Sequence, residues 1–305
     1  MTLMLLDSAS MYFRAYHGIP ESMTAPDGMP VNAVRGFLDM IATLVRTRKP
    51  THLVACLDAS WRPAFRVAAL PSYKGHRLGP DGREEIVPPG LVPQIPVIEA
   101  ALAALGIAAF GVDGFEADDV IGTLANADGG AVEVVSGDRD LFQVVRDDRP
   151  VRMLYIGRGV SKLEVVDEAW LAAKYALPAS GAGPAYADFA VLRGDPSDGL
   201  PGVSGVGEKT AAALVSRFGS LAGIQEALAA GGTDGFPAGS RLKLAAATDY
   251  LAAAPGVVRV RLDVPVPPHD ATLPTKPADP DALVELSERY ALDSSLNRVL
   301  AALAT

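Results

Sequence analysis

Three short apolar runs in this chain each end on an aspartate, and that pattern limits the possible folds more than any other feature. The runs are Leu3-Met4-Leu5-Leu6 into Asp7, Leu53-Val54-Ala55-Cys56-Leu57 into Asp58, and Val132-Glu133-Val134-Val135-Ser136-Gly137 into Asp138. Near-continuous apolar runs of this length, separated by helical patterns, are expected to be strands of a parallel sheet covered on both faces. Such sheets bind ligands in the crevice at the carboxyl ends of their strands. Three acids delivered there repel one another unless a counter-charge is present, so the pattern points to a divalent-metal site.

More acids join the set. Glu116-Ala117-Asp118-Asp119 opens a helical stretch running to about Ala127, with Glu116 and Asp119 sharing a face. Asp140 follows Asp138 by two residues, and Gly194-Asp195-Pro196-Ser197-Asp198-Gly199 contributes two further carboxylates. A lone Asp after a strand is most often a turn or cap residue, and acids at a helix start often only complement its dipole. Asp113 is read in that way. The agreement of three strand ends with one helix start favours a metal set for Asp7, Asp58, Glu116, Asp118, Asp119, Asp138, Asp140, Asp195 and Asp198.

The donor chemistry narrows the ion. Four scattered histidines (His17, His52, His76, His269) and the single Cys56 offer no zinc spacing. Carboxylate oxygens favour hard cations, so Mg²⁺ or Mn²⁺ is expected. The number of acids suits two or more ions, which in two-metal phosphodiester sites lie roughly 3.5–4 Å apart.

A net charge of −9 argues against a nucleic-acid binder until the candidate acids are set aside: 36 − 9 leaves 27 acids against 27 Lys and Arg. Bound divalent ions then reverse the local field. One cysteine suits a reducing compartment, and the N-terminus lacks the basic flank of a signal peptide. The longest apolar stretch, about residues 100–112, is too short to span a bilayer. The expectation is a cytoplasmic protein with no membrane association.

Apolar residues Val31, Val34, Phe37, Leu38, Ile41, Leu44 and Val45 form a helical stripe, closed by Arg46, Arg48, Lys49 and Pro50. A helix over 95–105, strands at 107–112, 131–137 and 151–156, and the acidic helix at 117–127 continue the alternation. The fold class is therefore α/β, a mostly parallel central sheet with helices on both faces. Residues 61–90 interrupt the rhythm with Arg62, Arg66, Lys74, Arg77 and Arg83 among five prolines, a basic insertion suited to function rather than mere connection. Beyond residue 166 the pattern turns helical and alanine-rich, with a Pro-rich irregular stretch at 264–280. Two regions are expected, a core at 1–165 and a helical region at 166–305.

Gly202-Val203-Ser204-Gly205-Val206-Gly207-Glu208-Lys209-Thr210 resembles a nucleotide loop only superficially. Glu208 interrupts the Gly-Lys-Thr that a P-loop requires, and no strand precedes the motif. A tight hairpin between two helices fits better, its N–H groups making an anion nest at a helix start with Lys209 adding charge.

In order along the chain, Leu6-Asp7 with Phe13-Arg14-Ala15-Tyr16-His17, Leu57-Asp58, Phe65-Arg66, Tyr73-Lys74 with Arg77, Leu91 to Pro96, Glu116 to Ile121, Ser136 to Leu141, Gly194 to Asp198 and the glycine hairpin match one family. Over residues 3–225 the chain resembles the 5′ nuclease (flap endonuclease) family, in particular the 5′→3′ exonuclease domain of bacterial DNA polymerase I and its stand-alone relatives. The resemblance implies a PIN-like nuclease core at 1–165 with a helical arch at about 62–95, and a helix–two-turn–helix at about 188–220. It places Asp7, Asp58, Glu116, Asp118, Asp138 and Asp140 at one metal region and Asp119, Asp195 and Asp198 at a second. Lys74 and Arg77 fall where the family has cations at the arch base, and Asp7, Asp58 and Asp138 join them as catalytic. Arg14, Arg66, Lys74, Arg77, Gly202, Gly205, Gly207, Lys209 and Thr210 are the implied DNA contacts, with K⁺ at the hairpin in many members. Three positions depart from the family: Gly199 stands where Asn is common, Ser8 where Gly is, and Phe13 where Tyr is.

The implied activity is metal-ion hydrolysis of DNA phosphodiesters at 5′ ends and 5′-flap junctions in replication and repair. The implied partners are DNA with flaps, nicks or gaps, with functional coupling to DNA polymerase and ligase, the protein acting as a monomer in the bacterial cytosol or nucleoid. A PIN-like ribonuclease needs fewer acids and no glycine hairpin. An idle DNA-junction binder tolerates lost acids or a lost Lys74, and here all are present. An Asp-x-Asp phosphatase matches Asp138-Arg139-Asp140 but leaves the insertion and hairpin unexplained.

Overall fold

A computed structural model describes residues 1–127, 129–231 and 234–304. Strand β1 (Thr2–Asp7) passes directly into helix α1 (Ser8–Gly18), because Asp7 is also the helix cap: its Oδ1 accepts the Ser10 N–H at 3.1 Å. Helix α2 (Asn32–Arg48) buries the expected stripe of Val34, Phe37, Leu38, Ile41, Leu44 and Val45, and stops at Lys49 in the left-handed region, φ 52°. Strand β2 (His52–Cys56), helix α3 (Ala64–Ala69), helix α4 (Ile95–Leu105) and strand β3 (Ala108–Phe110) follow. Next come α5 (Ala117–Asn126), β4 (Ala131–Ser136), β5 (Val151–Tyr155) and β6 (Glu164–Val166).

The described strands form one six-stranded sheet in the order β3-β2-β1-β4-β5-β6, parallel except for the β5–β6 pair. The chain departs from β1 in both directions, so the β1–β4 boundary is the switch point where a crevice opens. Register aligns Asp7 with Cys56 of β2, and Leu6 with Val135 of β4. Asp7, Asp58 and Asp138 therefore leave the same edge. Alternation supplies two cores: Leu5, Val54 and Val134 enter one, and Met4, Leu6, Leu53 and Val135 the other.

Helices α6 (Glu168–Tyr175), α7 (Ala182–Arg193), α8 (Glu208–Phe218), α9 (Leu221–Ala229), α10 (Ser240–Ala246), α11 (Thr248–Ala253) and α12 (Pro255–Val258) contribute to the first core. Helices α13 (Pro280–Tyr290) and α14 (Asp293–Leu303) return to the opposite face and pack on α4 and α2. The stretch at 264–280 is irregular, as its prolines predict, yet it is tied to the sheet. Leu53 N–H donates to Ala271 O at 2.7 Å and Leu273 N–H to Thr51 O at 3.0 Å.

The insertion contains little helix. α3 spans six residues, and one-turn 3₁₀ segments occupy Gly75–Arg77 and Val92–Gln94. Pro63, Pro71, Pro80, Pro88 and Pro89 break any longer run. Strand β3 is shorter than the 107–112 expected, and Gly111 after it passes tightly against Leu57 O. No described helix is long and apolar enough to cross a membrane.

Candidate metal centre

A cleft of about 1370 Å³ opens at the carboxyl edge of β1, β2 and β4. Asp7, Asp58, Glu116, Asp118, Asp138 and Asp195 line it, facing Lys74 and Arg77 from the insertion. Each acid is held by local structure. Asp7 Oδ2 accepts the Ser136 hydroxyl at 2.5 Å, crossing from β1 to β4. Asp58 Oδ1 accepts the Ala117 N–H at 2.7 Å, fastening the end of β2 to the start of α5. Asp138 Oδ1 accepts the Asp140 N–H at 2.9 Å.

Glu116 is the junction between the acids and the insertion. Its carboxylate receives the Tyr73 hydroxyl at 2.8 Å, Arg66 at 2.5 Å and the Lys74 ammonium. Lys74 itself sits at φ 47°, and its N–H donates to Asp198 O at 2.9 Å. Arg77 pairs with Asp198 at 2.8 Å. Sequence reasoning missed Tyr73 and Ser136 as members of the site. Both stand next to a charged motif residue or inside one, which was the available clue.

Not every expected residue faces the cleft. Asp119 is fully buried beneath α5, its two oxygens held by the Arg66 fork at 2.6 and 2.7 Å and by the N–H groups of Glu116 and Arg261. It forms a reciprocal capping box with Glu116, so the helix-start explanation applies to this acid. Arg66, expected among the DNA contacts, is 2 % exposed and reaches Glu116, Asp119 and Val257 O instead. No surface of it is open to a phosphate. Asp140 and Asp198 stand behind the lining, and Asp195 accepts Ser197 N–H at 2.9 Å and pairs with Arg193 at 3.3 Å.

The departure at Gly199 has a physical cause. Gly199 adopts φ +72°, and a Cβ there would lie 2.2 Å from Ser72 O. Asn tolerates the dihedral but not the contact, because the root of the insertion packs directly on this turn. Ser8 is fully buried with its hydroxyl unpartnered among the described residues.

Electrostatics show what the cluster lacks. Burial pushes the Asp7 carboxyl up to about 7, with Asp58 and Asp138 adding to the shift against the Ser136 hydrogen bond. Burial, then Asp7 and Asp138, drives Asp118 well above the carboxylate range. Asp140 is raised in the same way by burial and then by Asp138, Asp198 and Asp195. Burial also raises Glu116, with Lys74 and Arg66 pulling back. Such mutual elevation marks more negative charge than the surroundings neutralise. The acid face is all oxygen, with Cys56 buried in the core, so the donor set fits hard divalent cations. As the side chains stand, no three metal-ligating groups among the described residues converge closely enough to enclose an ion. Asp7, Asp58 and Asp138 are held by backbone and hydroxyl donors, and Glu116 by Tyr73, Arg66 and Lys74.

Beside the cleft, Gly202 (φ +68°) and Gly205 (φ +72°) make the expected hairpin, and Gly207 stands at the N-cap of α8 without a side-chain cap. The first-turn N–H groups of α8 are thus left for an anion, beside exposed Lys209 and half-buried Thr210. A Cβ on Gly202 would lie 2.4 Å from Arg193 O, which is why glycine is needed there.

Residues 2–176 match the model for the 5′-3′ exonuclease N-terminal resolvase-like domain, and residues 182–281 that for the 5′-3′ exonuclease C-terminal SAM fold. The chain is 56 % identical over 306 residues to a 5′-3′ exonuclease of Streptomyces coelicolor, covering 98 % of this chain and 99 % of that one. It is 44 % identical over 224 residues to DNA polymerase I of Mycobacterium bovis, covering 72 % of this chain and 23 % of the polymerase. Among solved structures, T5 5′-exonuclease with bound zinc superposes with a TM-score of 0.64 at 17 % identity, covering 99 % of this chain and all of that one.

Proposed function

The chain belongs to the 5′-3′ exonuclease family, and from that premise we propose that its cleft hydrolyses DNA phosphodiesters at 5′ ends and 5′-flap junctions in replication and repair. It is a 5′ nuclease, and the observation that carries this is the meeting of Asp7, Asp58, Glu116, Asp118 and Asp138 with Lys74 in one cleft beside a glycine hairpin. Mg²⁺ or Mn²⁺, two or more ions, is the proposed cofactor, held by Asp7, Asp58, Glu116, Asp118, Asp138 and Asp140, with Asp195 and Asp198 serving a second region. When bound, such ions lower the pKa of water and neutralise developing charge on phosphate oxygens.

The protein's own residues do the rest. Lys74, released from Glu116 as the carboxylate turns inward, supplies a cation at the scissile phosphate. Arg77, anchored by Asp198, and Arg14 orient the strand on either side. Gly202, Gly205, Gly207, Lys209 and Thr210 hold the duplex through its backbone and read no bases. K⁺ at the hairpin, a division at residue 165, coupling to a polymerase and ligase, a monomeric state and a bacterial cytosolic location belong to the same proposal.

The test is cleavage of a 5′-labelled flap duplex in Mg²⁺, Mn²⁺ or EDTA, beside single-stranded DNA and a matched RNA, with Asp138→Asn as control. Metal-dependent cutting at the junction, lost in the variant, is expected. Binding of the flap with no cutting in either metal overturns the proposal.

A further inference from the structure

The insertion brings an acid to the cleft as well as its cations. Glu85 lines the cleft from the return limb of the insertion, its side chain 22 % exposed. A tight turn puts it there. Gly79 N–H donates to Glu84 O and Ile86 N–H to Arg77 O, both at 2.8 Å, so the two limbs run antiparallel with Leu78 opposite Glu85. Gly82 supplies φ +68°, and Asp81 Oδ1 accepts the N–H groups of Arg83 and Glu84 at 3.1 and 3.2 Å. Asp81, Arg83, Glu84 and Ile86 stay exposed, and within residues 81–86 only Glu85 turns inward. Its carboxylate stands 3.8 Å from Arg77 Nη1. Arg77 Nη2 is taken by Ser197 O and Asp198 Oδ1, each at 2.8 Å.

The turn does not need this pair. Its backbone bonds close without it, and a partly exposed ion pair too long for a hydrogen bond contributes little to stability. Burial raises the Glu85 carboxyl, with Arg77 and then Lys74 pulling back, so placing this acid in the cleft is unfavourable. What the pair does change is the charge that Arg77 offers. Between Asp198 and Glu85, the guanidinium is already matched by two carboxylates. Asp198 is hydrogen-bonded to Arg77, whereas the Glu85 side chain accepts no hydrogen bond among the described residues and sits on an exposed turn. Of the two, Glu85 is the partner that a phosphate displaces. We propose that Glu85 is a specificity-determining residue, a carboxylate that holds Arg77 Nη1 until the phosphate of a strand threaded past the insertion takes its place. A charge set against an occupant in this way filters binding by repulsion. The inference rests on the nuclease reading for the strand and for Arg77 as one of its contacts. It adds that only a strand reaching Arg77 has to displace Glu85, while duplex held at the glycine hairpin does not.

Fluorescence anisotropy in Ca²⁺ and no Mg²⁺ is measured with a 5′-flap duplex and with a duplex closed by loops at both ends, which has no strand end to thread. Glu85→Gln keeps the size of the side chain and removes its charge. It is expected to bind the flap about tenfold more tightly than wild type and to steepen the salt slope by about one, because Arg77 then counts toward the phosphate. The closed duplex is expected to bind both proteins equally. In an Arg77→Gln background the gain on the flap is expected to vanish. A gain of binding separates this role from a structural or metal-holding one, since losing either of those weakens the complex. Unchanged or weaker flap binding by Glu85→Gln overturns the proposal. So does an equal gain on the closed duplex, or a gain that survives without Arg77. Because binding is read without cleavage, a wild-type protein that binds the flap but never cuts it in Mg²⁺ sinks the nuclease reading and leaves this one standing.

Discussion

Arg66 is the side chain on which the acidic helix and the basic insertion both depend. It sits on α3, clamps Asp119 with both arms, shares Glu116 with Lys74 and reaches the carbonyl of Val257. Removing one partner of a buried ion pair leaves the other uncompensated, typically at a cost of about 3–5 kcal/mol. Arg66→Ala is therefore expected to lose that much stability in urea unfolding, and Arg66→Lys less, since an ammonium keeps the charge but not the fork. An Arg66→Ala midpoint equal to wild type would refute this role. The sequence showed Arg66 as one more cation in a basic stretch and Asp119 as one more acid. Nothing in linear spacing distinguishes a carboxylate facing a cleft from one turned beneath its helix, because the partner lies 53 residues away.

Asp7 carries a second consequence at this scale. Its carboxyl titrates near 7 when folded, against 3.8 for an unperturbed aspartate. Between those values the folded state holds a proton that the unfolded chain has released. Stability of the metal-free protein should therefore fall as pH rises through that window. Divalent ions held at Asp7, as proposed, would reverse the penalty by displacing the proton. Calorimetric titration with Mg²⁺ at pH 6, in two buffers of different ionisation enthalpy, should give unequal heats. Equal heats would mean that no proton leaves.

Among the elements, the central strands and the helices with clear stripes were legible because each buries a contiguous apolar set. In the insertion the helical content is confined to α3 and two 3₁₀ turns, with prolines at five positions breaking longer runs. The C-terminal pair was harder to foresee. Leu283, Leu292, Leu296, Val299 and Leu303 are buried in the core against α2 and α4, contacts that no local pattern announces. At about 1.5–3 kcal/mol for each large apolar side chain, these five contribute on the order of the whole net stability of a domain. Truncation after residue 263 should yield a protein that is unfolded or rapidly digested in limited proteolysis. A truncated chain with native circular dichroism and protease resistance would show that α13 and α14 are dispensable.

For the molecule as a whole, the site strands, the insertion and the hairpin meet at one edge because β1, β2 and β4 are parallel and the strand order reverses beside β1. That convergence was readable from three strand-end aspartates, whereas the path by which residues 264–280 return to β2 was not. The alignment also gives length a meaning that composition does not have. Leu6 faces Val135, and side chains alternate between faces, so sliding β4 by one residue exchanges its two faces and shifts Asp138 relative to Asp7. An added residue in the exposed Asp147–Pro150 turn, at the opposite end of β5, leaves that alignment alone. In a library of single-codon insertions, gaps in the tolerated map should trace the strands that carry the acids, and nuclease activity should survive in the turn but vanish within Val132–Ser136. Register within a strand is thus as strict a requirement for the site as the acids themselves.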